Sequence, residues 1–85
     1  MKIIKISAIW CSSCIIMKSR FNEVIKGKEV EVESLDYDID DIDKYNVGDI
    51  LPVFIKIEND KEISRLVGEH SKKEIEEFVG EVWKK

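Results

Sequence analysis

The two cysteines of this chain lie in one pentapeptide, Trp10-Cys11-Ser12-Ser13-Cys14. Thiols separated by two residues can form a small disulfide ring, and the chemistry open to such a pair is thiol–disulfide exchange, in which a thiolate attacks a disulfide sulfur. Before the motif, Lys2 to Ile9 is a short, mostly apolar β-type run. After it, from about Ser12 to Lys26, Met17, Phe21, Val24 and Ile25 fall on one helical face, and Gly27 stops the pattern. The motif therefore sits where a strand gives way to a helix. The first turn of a helix has unpaired amide protons and a positive partial charge, and both favour a thiolate at the first cysteine. Three residues later the chain has made most of a turn, which brings the second sulfur within reach of the first. Cys11 is expected as the exposed nucleophile. Cys14, partly covered by the helix, is expected to attack the resulting mixed disulfide and release the reduced product.

Other uses of the pair compete with this one. A disulfide across two intervening residues closes almost no loop, so it stabilises a fold very little. A secreted disulfide scaffold of this length would carry more cysteines, spread along the chain. A tetrahedral metal site needs four ligands, and His70 is the one further Cys or His, so a zinc or iron–sulfur centre would require a dimer. A third reading is a domain that keeps the fold for binding alone.

The elements that must position the motif can be read from the rest of the chain. Glu29 to Tyr37 reads as an edge strand, and Asp40 to Tyr45 as a short helix ended by Asn46 to Gly48. Val53 to Ile57 is a second apolar strand after Pro52. Asn59-Asp60 is a turn, and Glu62 to Val67 is a return strand that completes a hairpin. Ser71-Lys72-Lys73-Glu74 has the spacing of a capping box. Ile75, Phe78, Val79, Val82 and Trp83 follow at amphipathic helical spacing. The order β-α-β-α-β-β-α predicts one α/β domain over residues 1–85: a four-stranded mixed sheet with helices on both faces. Its first two strands run parallel, joined by the cysteine helix.

With 85 residues, 44% hydrophobic and 38% charged, the chain suits a single soluble domain. A formal net charge of −4 without a basic face argues against nucleic-acid binding. Lys5 and Ser7 interrupt the apolar residues near the start, which argues against a signal peptide or membrane span. A cytoplasmic monomer is the resulting expectation.

Taken together, three features resemble the thioredoxin superfamily. Trp10-Cys11-Ser12-Ser13-Cys14 follows an apolar strand, Ile50-Leu51-Pro52-Val53-Phe54 puts a proline at the start of the next central strand, and Val67-Gly68 precedes the last helix. The resemblance covers nearly the whole chain and begins at what would be the second strand of a full-length thioredoxin, giving a trimmed version of about glutaredoxin size. It implies a cis bond before Pro52, facing the cysteines. Leu51 would offer backbone hydrogen bonds to an extended substrate, and Gly68 would let substrate backbone approach closely. It further implies disulfide-containing protein substrates, no bound cofactor, and electrons from a thioredoxin-reductase-like donor.

The chain also departs from that family. Ser12-Ser13 replaces the usual Gly-Pro, at positions that tune the balance of dithiol and disulfide. Lys5 stands where thioredoxins carry a buried aspartate. A cation there would favour a thiolate, while the alternative is a lysine that snorkels to solvent. The glutaredoxin signatures, Thr-Val-Pro before the cis bond and a later Gly-Gly, are absent, so the resemblance does not extend to glutathione binding.

Trp10 is expected at the rim of the site rather than in the core. Of Ile15 and Ile16, one should face the core and the other extend an apolar patch with Trp10 and Leu51. The acidic run Asp36 to Asp43 lacks the glycine and glutamate of a calcium loop and reads as a solvated strand end and helix start. His70 is expected as an exposed loop residue.

Overall fold

The computed structural model describes residues 2–28 and 30–80. Strand β1 (Lys2–Ser7) lies inside the sheet, and alternation decides what each side of it meets. Ile4 and Ile6, continued by Ala8, are buried on one face, while Ile3 is buried on the other, where Lys5 and Ser7 follow it. β2 (Glu31–Asp36), β3 (Val53–Glu58) and β4 (Lys61–Val67) complete the order β2-β1-β3-β4, so β2 is the edge that the alternating acidic residues predict. β1 and β2 are parallel, with Lys5 opposite Ser34. β1 and β3 are antiparallel, with Lys5 opposite Phe54. The β3–β4 hairpin turns at Asn59 and Asp60, both at positive φ, a conformation these two residue types tolerate.

Two helices share the face of Ile3 and Phe54. α1 (Ser12–Ile25) buries Cys14, Met17, Phe21 and Val24, and α2 (Lys72–Val79) buries Ile75 and Val79. Phe21 stacks on Phe54 at a centroid distance of 4.7 Å, tying α1 to β3. Gly27, at φ +83°, ends α1 as its position predicts. The capping box of α2 is formed: the Glu74 amide donates to the Ser71 hydroxyl (3.2 Å), and the Ser71 amide donates to the Glu74 carboxylate (3.1 Å). Val82 and Trp83, expected to prolong this helix, and Glu29, expected to begin the edge strand, lie outside the described residues.

The opposite face is covered differently from the expectation. A helix over Asp40–Tyr45 does not form; a single 3-10 turn, Asp43–Tyr45, takes its place. The acidic side chains cap local backbone instead. Asp36 N–H donates to Asp40 (2.7 Å), Asp38 N–H to Asp36 (2.8 Å), and Asp43 N–H to Asp41 (3.2 Å). Such bonds compete with helix formation. Tyr37, Ile42, Tyr45 and Val47 from this segment pack on Ile4, Ile6, Val53 and Ile55, and Arg65 of β4 holds it through the Tyr45 carbonyl (2.7 Å). The two α-helices thus share one face of the four-stranded mixed sheet, and the other face is covered by an irregular segment with one 3-10 turn rather than by the helix expected there.

Candidate active site

Cys11 is the N-cap residue of α1, reached by a tight reversal in which its amide donates to the Ala8 carbonyl (3.2 Å). The Cys14 amide, one of the unpaired donors of the first turn, donates to Cys11 Sγ at 3.3 Å. A sulfur here occupies the place that Ser or Asp oxygens take at other helix starts. Cys14 is one turn further in, on the buried stripe of α1. Burial pushes its thiol up to about 11, and a hydrogen bond to Cys11 adds to this, while a backbone hydrogen bond from Ala8 and the charge of Lys5 pull the other way. The two sulfurs are therefore adjacent but unlike: one receives a helix-end donor and the other is kept as a thiol.

Cys11 is not the exposed nucleophile that the motif suggests. Only 9% of it is accessible, and it belongs to the core cluster that includes Ala8, Cys14 and Leu51. The reversal before it projects Ile9 and Trp10 outward, at 91% and 60% exposure, and leaves the sulfur recessed. Trp10 is a rim residue, as expected. Its indole Nε1 donates to the Asp38 carboxylate at 2.7 Å, and Tyr37 meets its ring edge-on at 6.0 Å. Neither of the isoleucines after Cys14 reaches the core: Ile15 is 70% and Ile16 44% exposed, because the buried stripe runs through Cys14, Met17, Phe21 and Val24. Ser12 is exposed and Ser13 half-buried on the same turn.

The Leu51–Pro52 bond is cis. The Leu51 side chain is buried in the core rather than joining an apolar patch with Trp10; the neighbouring exposed apolar side chain is that of Ile50. Gly68 has φ +85°, its amide donates to the Pro52 carbonyl (2.9 Å), and a Cβ there would lie 3.3 Å from Ile50 Cγ2. The backbone conformation favours glycine at this position, and a side chain there would also have to displace exposed Ile50 by a few tenths of an ångström. Lys5, Cys14 and Pro52 come together as walls of one cavity of about 170 Å³. Burial first, and the charge of Lys18 second, lower the Lys5 amine from its ordinary value, while Cys14 acts in the opposite sense.

Asp38, Ala8 and Lys18 are site residues that the sequence reading missed. Asp38 is 28 residues from the tryptophan it holds and sits in a run of like residues, so no local pattern singles it out. His70 is half-buried rather than exposed and lies outside this cluster. Its ring bridges the Glu74 carboxylate (3.0 Å) and the Val67 carbonyl (2.8 Å). Among the described residues, no group of three or more His, Cys, Asp or Glu side chains gathers in a way that could hold a metal ion. No described helix is long and apolar enough to cross a membrane.

This arrangement has known relatives. The chain is similar in structure to thioredoxin from Fasciola hepatica, with 26% identity and a TM-score of 0.82, covering 92% of this chain and 76% of that one. Reduced Schistosoma mansoni thioredoxin pre-protein matches with 25% identity and a TM-score of 0.80, covering 92% and 74%. Trxlp from Edwardsiella tarda shares the fold at a TM-score of 0.83 with 18% identity, covering 91% and 79%. The family model for thioredoxin matches residues 1–81, and the chain accordingly belongs to the thioredoxin family.

Proposed function

We propose that this protein reduces disulfides in protein substrates by dithiol–disulfide exchange. The observation that carries the reading is the 3.3 Å contact from the Cys14 amide to Cys11 Sγ at the start of α1, which presents a helix-end donor to one sulfur with the second sulfur beside it. Cys11 thiolate attacks a substrate disulfide; a Cys11–substrate bond forms, and the other substrate sulfur leaves as a thiolate. Cys14 thiolate then attacks Cys11 Sγ, the mixed disulfide breaks, and the second substrate thiolate leaves. Two electrons pass to the substrate, the two leaving thiolates take up protons, and the protein is left with a Cys11–Cys14 disulfide. The exchange involves sulfur alone and calls for no resident cofactor. Trp10, the backbone at Leu51–Pro52 and Gly68 would contact the substrate chain. A thioredoxin-reductase-like donor would restore the dithiol, with the protein acting as a monomer in the reducing cytoplasm. Two cysteines confined to one exchange motif, with none left for structural bridges, support that compartment.

The test is the redox midpoint of the pair, equilibrated against defined thiol buffers, with Cys11→Ser and Cys14→Ser as controls. A reductant of this kind should titrate near about −270 mV, whereas about −120 to −180 mV would reverse the direction of electron flow. Cys11→Ser should abolish reduction of a protein disulfide, and Cys14→Ser should trap a mixed disulfide on Cys11. Failure to form an intramolecular disulfide would overturn the reading.

A further inference from the structure

The face of β1 that receives α1 begins apolar with Ile3 and then turns polar at Lys5, directly where the first turn of α1 lies. The cavity left there, about 170 Å³, has Lys5, Lys18 and Asp36 as its charged walls and Cys14 as its sulfur; β3 contributes only Phe54, and Pro52 lines it from just before that strand. Asp36 is engaged elsewhere, its Oδ1 accepting from the Asp38 amide. Among the described residues no carboxylate pairs with Lys5. A half-buried ammonium without an ion-pair partner is costly to keep. Its sulfur neighbour is the thiol that the second exchange step must ionise.

We propose that Lys5 is a positioning residue for that step: its ammonium, facing Cys14 across the cavity, stabilises the Cys14 thiolate as it attacks the mixed disulfide. The inference rests on the dithiol reading above. In the reduced protein Cys11 holds Cys14 as a thiol, both by hydrogen bond and by charge. Once Cys11 is bonded to substrate, its sulfur carries no charge and both effects end. The Ala8 hydrogen bond and the Lys5 charge then remain to favour the anion against burial. Cys14 S–H loses its proton to solvent, the thiolate attacks Cys11 Sγ, and the substrate sulfur leaves with the bonding pair. Lys5 neither gains nor loses a bond.

Dithiodipyridine, an uncharged aryl disulfide, separates the two steps. Attack by Cys11 releases one thiopyridone, and attack by Cys14 on the mixed disulfide releases the second. Stopped-flow traces across pH 5–10 should show, for Lys5→Met, an unchanged first phase. The second phase should be roughly tenfold slower at neutral pH, with its inflection raised by about one pH unit, since one unit corresponds to a tenfold change in thiolate. Lys5→Gln should behave likewise. Lys5→Arg, which keeps a permanent charge, should return the second phase to within about threefold of the wild type. An unshifted second phase in Lys5→Met and Lys5→Gln would overturn the role of Lys5 while leaving the dithiol reading intact, and equal losses in Lys5→Met and Lys5→Arg would do the same. Release of only one thiopyridone by the wild type would instead overturn the dithiol reading, and this inference with it.

Discussion

At the site, single side chains are held by partners far away in the chain. Trp10 projects beside a recessed sulfur, and what keeps its ring in place is the Asp38 carboxylate together with the edge of Tyr37. Removing the carboxylate should free the indole without unfolding the domain, since an exposed hydrogen bond of this kind contributes about 0.5–1.5 kcal/mol. In a Trp83→Phe background, where Trp10 is the remaining tryptophan, Asp38→Ala should lower the fluorescence anisotropy of Trp10 and slow reduction of protein disulfides a few-fold. Unchanged anisotropy would mean that packing against Tyr37 suffices. The placement of the two cysteines at a helix start and the cis bond before Pro52 were legible in the sequence, the first from local spacing and the second from a family pattern. The Trp10–Asp38 bond was not, because nothing short of the parallel pairing of β1 and β2 brings residue 38 to residue 10. The recess of Cys11 was hidden for a related reason. It depends on a reversal from Ala8 to Cys11 that turns Ile9 and Trp10 outward, and no periodicity predicts it.

Elements with a strong period or a complete cap were readable, and α2 shows why. Its Ser-x-x-Glu start satisfies two backbone amides, and Glu74 also faces His70. The His70 ring, then the Ser71 backbone and hydroxyl, hold the Glu74 carboxyl down at about 2, against an ordinary 4.5. Its contribution is therefore present above about pH 4.5 and is lost as the pH falls toward about 2. The Glu74 carboxylate first, and the Val67 carbonyl second, raise His70 above its ordinary 6.5. That contribution is present below 6.5 and is lost as the pH rises through the folded value. The pair should thus support α2 most between about pH 4.5 and 6.5. Melting temperature measured from pH 3 to 9 should show Glu74→Gln losing most in that window and less toward either end, at low pH because Glu74 becomes protonated and at high pH because His70 becomes neutral. A uniform loss across the range would assign the effect to the cap alone. The acidic segment before β3 was less legible because its aspartates serve two competing patterns. They suit a helix start, yet the same side chains can cap their own neighbours, and here the local caps prevail and leave one 3-10 turn.

Over the whole molecule, the sheet separates two cores with different duties. Both cysteines belong to the cluster with Ile4, Ile6, Leu51 and Ile55, whereas Met17, Phe21, Phe54, Ile75 and Val79 join the two helices to the other face. A domain of 85 residues has about 4–13 kcal/mol of net stability, so one large aromatic in the helix core represents a substantial share of it. Phe21 is almost completely buried and stacks on Phe54, which has no accessible surface. Phe21→Ala should cost about 3–5 kcal/mol through lost burial and a residual cavity, which corresponds to a fall in melting temperature of at least about 12 °C. Phe21→Leu, which keeps most of the volume, should cost about 1–2 kcal/mol and stay folded. Because the sulfurs lie in the other cluster, Phe21→Leu should leave the first thiopyridone release within about twofold of the wild-type rate while urea unfolding shows the lost stability. The Phe54→Ala variant should cost a similar amount to Phe21→Ala, and the double variant less than the sum, since the stacked pair is lost once. Slowing of exchange in step with lost stability would show that the helix core sets the geometry of the sulfurs and that the two faces act as one.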